Sequence, residues 1–171
     1  MAISDERRDW IRRVATDAIF DGLSEEEFDE LTEEDHEKPF QEFFETVSDP
    51  EELHLFAGLI NWDGGAEELS RVIHHPLCDL GTALLVYWLG QPSFDLQYAN
   101  REAVPQHRRE VYDLLRDIEQ RVAEGAYKTA RQPFDPANYR GRDLRPKAER
   151  INRYGRDLPP AMYRAVTAAT A

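Results

Sequence analysis

A single cysteine, Cys78, in 171 residues excludes an internal disulfide and with it the stapled scaffolds of small secreted domains. Long apolar runs are also missing. The longest, Ala83 to Leu89, falls far short of the roughly 20 residues a membrane helix needs. The opening Met1-Ala2-Ile3-Ser4-Asp5-Glu6 has no basic head and no apolar stretch, which predicts no secretory signal. These absences together predict a soluble, cytoplasmic protein. Nucleotide and hydrolase signatures are missing too: the sequence has no Walker motif, GxGxxG, GxSxG or HExxH. No Gly-centred calcium loop is present. No apolar/polar alternation runs beyond about four residues and no hairpin dipeptide joins two apolar runs, so a sheet is not expected.

Positive charge is scarce at the front of the chain. Residues 1–70 hold 22 Asp and Glu against 5 Lys and Arg, whereas residues 71–171 hold 12 against 16. The last 46 residues are the most basic, with 10 Lys and Arg against 4 acids. An acidic front half disfavours nucleic acid and anionic membranes as partners and suits a basic protein. The apolar content of 41% is that of a folded chain.

Helix signals follow one another closely. Ser4 can cap a helix with Ile11, Val14, Ala15, Ala18 and Ile19 as its stripe and Gly22 as its terminator. Ser24-Glu25-Glu26-Glu27 is a capping box for a short helix with Phe28 and Leu31 as its buried side. Thr32 caps a third helix with Phe40, Phe43, Phe44 and Val47 on one face. Ser48 or Asp49 caps a fourth, with Pro50 in its first turn and Leu53, Phe56, Ala57 and Ile60 buried. Asn61-Trp62-Asp63-Gly64-Gly65 is a tight loop, and a short helix burying Leu69, Val72 and Ile73 stops before Pro76. Asp79 caps Leu80–Leu89, which is apolar nearly all round and therefore reads as the central helix. Pro105 opens the longest helix, to about Glu124, and Gly125 closes it.

The expected fold class is all-α: a compact multi-helix domain over 1–125, with helical-repeat-like short pairs, and a Pro- and Arg-rich arm over 126–171 packed on it. Partial disorder of the arm is the alternative. Pairing of the basic arm with the acidic helices is the expected use of the opposed charges.

The densest chemistry is His74-His75-Pro76-Leu77-Cys78-Asp79. These are zinc-ligand types, but adjacent histidines on a helix point about 100° apart and no second ligand pair completes a site. A nucleophilic Cys78 needs a base, with His54, His74 and His75 as candidates. The plainer reading makes Cys78 a buried small residue and Asp79 a cap. No metal, cofactor or catalytic set is therefore expected. The run Glu25, Glu26, Glu27, Asp29, Glu30, Glu33, Glu34 and Asp35 reads as a solvated face and a partner-binding surface, with Trp62 as an anchor if exposed.

Over roughly residues 49–90, four features occur in order. They are Glu52-Leu53-His54-Leu55-Phe56-Ala57, Asn61-Trp62-Asp63-Gly64-Gly65, His74-His75-Pro76-Leu77-Cys78-Asp79 and Gly81-Thr82-Ala83-Leu84. This combination resembles the bacterial domain-of-unknown-function family 4274, with its NWDxG-like loop, HPxCD-like turn and TAL helix. The resemblance implies a small helical module of bacterial proteins, some of them neighbours of polymorphic toxins, and brings no activity or catalytic residues with it. The expected function is non-enzymatic protein binding: an immunity protein that occludes a basic toxin domain. A general helical adaptor and a Cys/His-dependent enzyme are the alternatives.

Overall fold

The helix Leu80–Leu89 lies at the centre of the molecule, and its sequence explains why. Every residue from Gly81 to Trp88 is buried, so no face is left for solvent. A computed structural model describes residues 3–62, 66–145 and 152–167. Readings that rest on Asp63, Gly64, Gly65 and Pro146 lie outside them. The described residues form eight α-helices: α1 Asp5–Ala15, α2 Glu25–Asp29, α3 Glu33–Thr46, α4 Pro50–Ala57, α5 Glu67–His74, α6 Leu80–Leu89, α7 Pro92–Asp95 and α8 Arg109–Ala123. Among the described residues there is no sheet, only isolated bridges between Phe134 and Val166 and between Tyr139 and Arg142. No helix among them is long and apolar enough to cross a membrane.

The caps fall where side-chain chemistry places them. Ser4, Ser24, Thr32, Asp49 and Asp79 each accept a hydrogen bond from a backbone N–H of the first turn. Two expected boundaries move. α1 ends at Ala15 rather than near Gly22, because Thr16 caps it and Asp17 takes a left-handed φ of 58°. The longest helix begins at Arg109 instead of Pro105, since Pro105 is extended and a 3₁₀ turn over Gln106–Arg108 intervenes.

α4, α5 and α8 pack on α6, and α1 and α3 cover the far side of α4. An aromatic layer joins the latter group. Phe43 stacks on Phe56 at 4.4 Å, and Phe40 and Phe44 meet Phe56 edge-on. Arg7 lies over the Trp10 ring and bonds Glu52 at 2.7 Å, so α1 is fastened to α4 by charge as well as by packing.

The described parts of the arm pack back on α6 and α8, burying Phe134, Leu158, Met162 and Val166. Trp88 Nε1 donates to the Met162 carbonyl at 2.9 Å. Arg156 donates at 2.6 Å to buried Glu119, which also accepts from the Tyr87 hydroxyl at 3.1 Å. Among the described residues, Arg156 of the arm pairs with Glu119 on α8. Glu52, Glu51 and Glu37 pair with Arg7, Arg8 and Arg71.

The arm crosses the start of α6 at very close range. A Cβ on Gly81 would lie 1.8 Å from the Gln132 carbonyl oxygen. Leu80 N donates to Thr129 O at 2.9 Å, so arm backbone satisfies a helix donor that would otherwise lack a partner. Gly81→Ala should therefore destabilise the fold by about 1–3 kcal/mol through overpacking, although alanine is ordinarily about 1 kcal/mol better than glycine inside a helix. Urea unfolding checks the sign, and a stabilised variant would mean that the arm does not lie on Gly81.

Candidate functional site

The corner between α5 and α6 gathers the residues richest in chemistry. α5 stops at His74 because His75, ahead of Pro76, is extended. His74 Nδ1 donates to Ser70 O at 2.8 Å and Nε2 lies 3.0 Å from Asp117 Oδ2. It ties α5 to α8. His75 Nδ1 accepts from Leu77 N at 3.1 Å, and Cys78 N donates to His75 O. Asp79 Oδ1 caps α6 through Thr82 N, while Oδ2 accepts from Arg131 N and Gln132 N at 2.5 and 2.6 Å. His74, Cys78 and Asp79 thus have structural partners, and His75 uses Nδ1 within the turn. Among the described residues, no three His, Cys, Asp or Glu side chains are grouped to hold a metal.

Cys78 is only 6% exposed, and its thiol donates to the Asp79 carbonyl at 3.7 Å. Burial, reinforced by the Asp79 charge and opposed by Arg121, pushes the thiol pKa up to about 12. A nucleophile needs the shift to run the other way.

His54 belongs to a different place. It projects from α4, with Nδ1 3.1 Å from the Thr82 hydroxyl, and burial lowers its pKa against the opposing charges of Asp79 and Glu51. It contributes to a cleft of about 440 Å³ whose other wall is arm: Phe134, Asp135, Asn138, Tyr139 and Val166. Sequence reading passes over this cleft because these neighbours lie about 80 or more positions from His54 in the chain. A groove of about 480 Å³ along α8, with Asp113, Asp117 and Asp157 in its walls, is equally non-local.

The acidic residues lie at the opposite end of the chain's logic. Glu25, Glu26, Glu27, Asp29 and Glu30 on and after α2, and Glu33, Glu34 and Asp35 in the first turn of α3, are all exposed. Glu27 accepts from Ser24 N at 2.8 Å and Asp35 from Thr32 N at 3.0 Å, completing two capping boxes. These bonds hold both carboxyls below their usual pKa, the backbone N–H being the larger cause at Glu27 and the threonine hydroxyl at Asp35. The other six carboxylates are not used as caps.

Two expectations change here. Phe28 is not the buried side of α2. It is 47% exposed, and α2 buries no residue. Leu31 is half-buried. A five-residue helix far from α6 lacks the length to bring its apolar side down onto the core. Trp62, considered as an anchor, is half-buried and packs on the core, and a Cβ at Gly90 would lie 3.0 Å from its ring. It closes the end of α6 and offers a partner little.

The geometry of Cys78 has a direct chemical consequence. Iodoacetamide should label the native thiol at least about tenfold more slowly than the urea-unfolded one near neutral pH, because little thiolate is present and the sulfur is covered. Mass spectrometry of timed aliquots checks this, and fast native labelling at pH 7 would restore Cys78 as a nucleophile.

Comparison with known proteins adds one relationship. No curated protein and no solved structure matches the chain. The family model described as domain of unknown function (DUF4274) matches residues 48–123, which extends the recognisable segment beyond 49–90 to the end of α8. The matched residues run from the one before the α4 cap through α8, with α1–α3 ahead of them and the arm behind, so this segment is similar to DUF4274.

Proposed function

We propose that this chain is a non-enzymatic, cytoplasmic protein-binding protein, an immunity protein that neutralises a basic toxin domain by occlusion. The observation that carries the reading is the exposed carboxylate surface of α2 and the start of α3. Residues 25–37 hold nine acids and no lysine or arginine. Only Glu37 among them forms an ion pair in the described residues, with Arg71. A surface of one sign on locally capped helices raises the encounter rate with an oppositely charged partner and repels nucleic acid. Toxin domains that act on nucleic acid need cationic active sites, so such a surface suits covering them. The corner at His74, His75 and Cys78 supports the non-enzymatic part, because its groups are committed to caps, turns and a helix tie.

A helical adaptor with a host protein as partner is the second reading, and it uses the same surface. The gene beside this one separates the two: an immunity protein sits next to a basic toxin domain, an adaptor does not.

Reversing Glu25, Glu26, Glu30, Glu33 and Glu34 to lysine leaves the Glu27 and Asp35 caps in place. Stopped-flow association with the toxin domain encoded alongside should slow by about tenfold or more at low salt and lose most of its salt dependence. An unchanged association rate would remove this surface from the interface.

A further inference from the structure

Among the described residues, Leu23 and Phe28 are two of the four large apolar side chains left exposed, at 42% and 47%, and they lie five positions apart. Single exposed apolar residues are ordinary. Here they belong to a group. Phe20, Phe28 and His36 meet edge-on in a triangle, with ring centroids 6.3, 5.1 and 5.5 Å apart. Leu23 adjoins it, its N–H donating to the Phe20 carbonyl at 3.2 Å.

The segment that displays this group is held by local turns and caps. Asp17 and Gly22 turn the chain with φ of 58° and 102°, the Ser24–Glu27 box starts α2, Leu31 N closes on Phe28 O, and the Thr32–Asp35 box starts α3. Helices this short normally persist because they bury an apolar face. α2 buries nothing, so its ordering serves something outside the core.

Resting on the partner-binding reading above, we infer that Phe20, Leu23, Phe28 and His36 form the apolar anchor point of the acidic surface. The occupant is a segment of a basic protein that places one apolar side chain between lysines or arginines. The charge distribution selects this occupant. Five carboxylates flank Phe28 on α2 and just after it, and three precede His36 on α3. A second copy of the chain would bring like charges together, and a nucleic acid or an anionic membrane would be repelled. An apolar centre ringed by charge is also how strong interfaces are arranged: the central side chains lose water, and the rim steers and orients.

The test uses two rhodamine-labelled lysine heptapeptides that differ only in a central leucine or glycine, titrated by fluorescence anisotropy against the full chain. The leucine peptide should bind about tenfold more tightly, the worth of one well-buried apolar side chain at an open surface. Phe28→Ala should erase that difference while keeping the weaker binding of the glycine peptide. Leu23→Ser should do the same in part, and circular dichroism should show both variants folded, since neither side chain is in the core. The five-lysine charge variant should weaken both peptides in parallel. Equal binding of the two peptides to the native chain would overturn the anchor and leave the acidic surface standing. Failure of either peptide to bind, or indifference to charge reversal, would overturn the acidic surface and the anchor with it.

Discussion

The carboxylate of Asp79 holds two parts of the molecule in one place. One oxygen closes the first turn of α6, and the other accepts two arm amides, from Arg131 and Gln132. A buried carboxylate is tolerable only when its lone pairs are filled, and here backbone N–H groups fill them. Gly81 then becomes intelligible as a spacing requirement, since any side chain would displace the Gln132 carbonyl. Next to this junction the arm buries Phe134. At the other end of α6, Trp62 and Leu115 crowd Gly90 in the same manner.

Much of this architecture is legible from residue types alone. Caps at Ser4, Ser24, Thr32, Asp49 and Asp79 are chemical statements about donors needing acceptors, and they hold because they are local. The bounds of α6 are readable because a cap, a wholly apolar run and Gly90 coincide. What is not legible is whatever depends on distant segments. Nothing near Glu119 in sequence points to Arg156, 37 positions away. The same holds for the union of His54 with Phe134 and Val166 in one cleft. Phe28 misleads because periodicity says which side of a helix is apolar, not whether that side meets anything.

In the corner from His74 to Asp79, a dense set of reactive residue types has structural work: His74 bonds Ser70 and Asp117, His75 Nδ1 bonds Leu77, Asp79 caps α6, and burial raises the Cys78 thiol pKa. The acidic segment is the opposite case. It is plain in composition and its caps are local, yet six of its eight carboxylates are exposed and cap no helix. Commitment of polar groups within the molecule, more than their density, is what separates scaffold from surface here.

That α2 buries nothing also bears on how the protein can change over generations. Substitutions in a core helix are filtered by stability before binding is ever tested, but those at the exposed Glu25, Glu26 and Asp29 meet a weaker filter. The acidic segment also lies ahead of the DUF4274 match, outside the part of the chain the family shares. On the partner-binding reading proposed above, recognition can be rewritten there while the helical framework stays as it is.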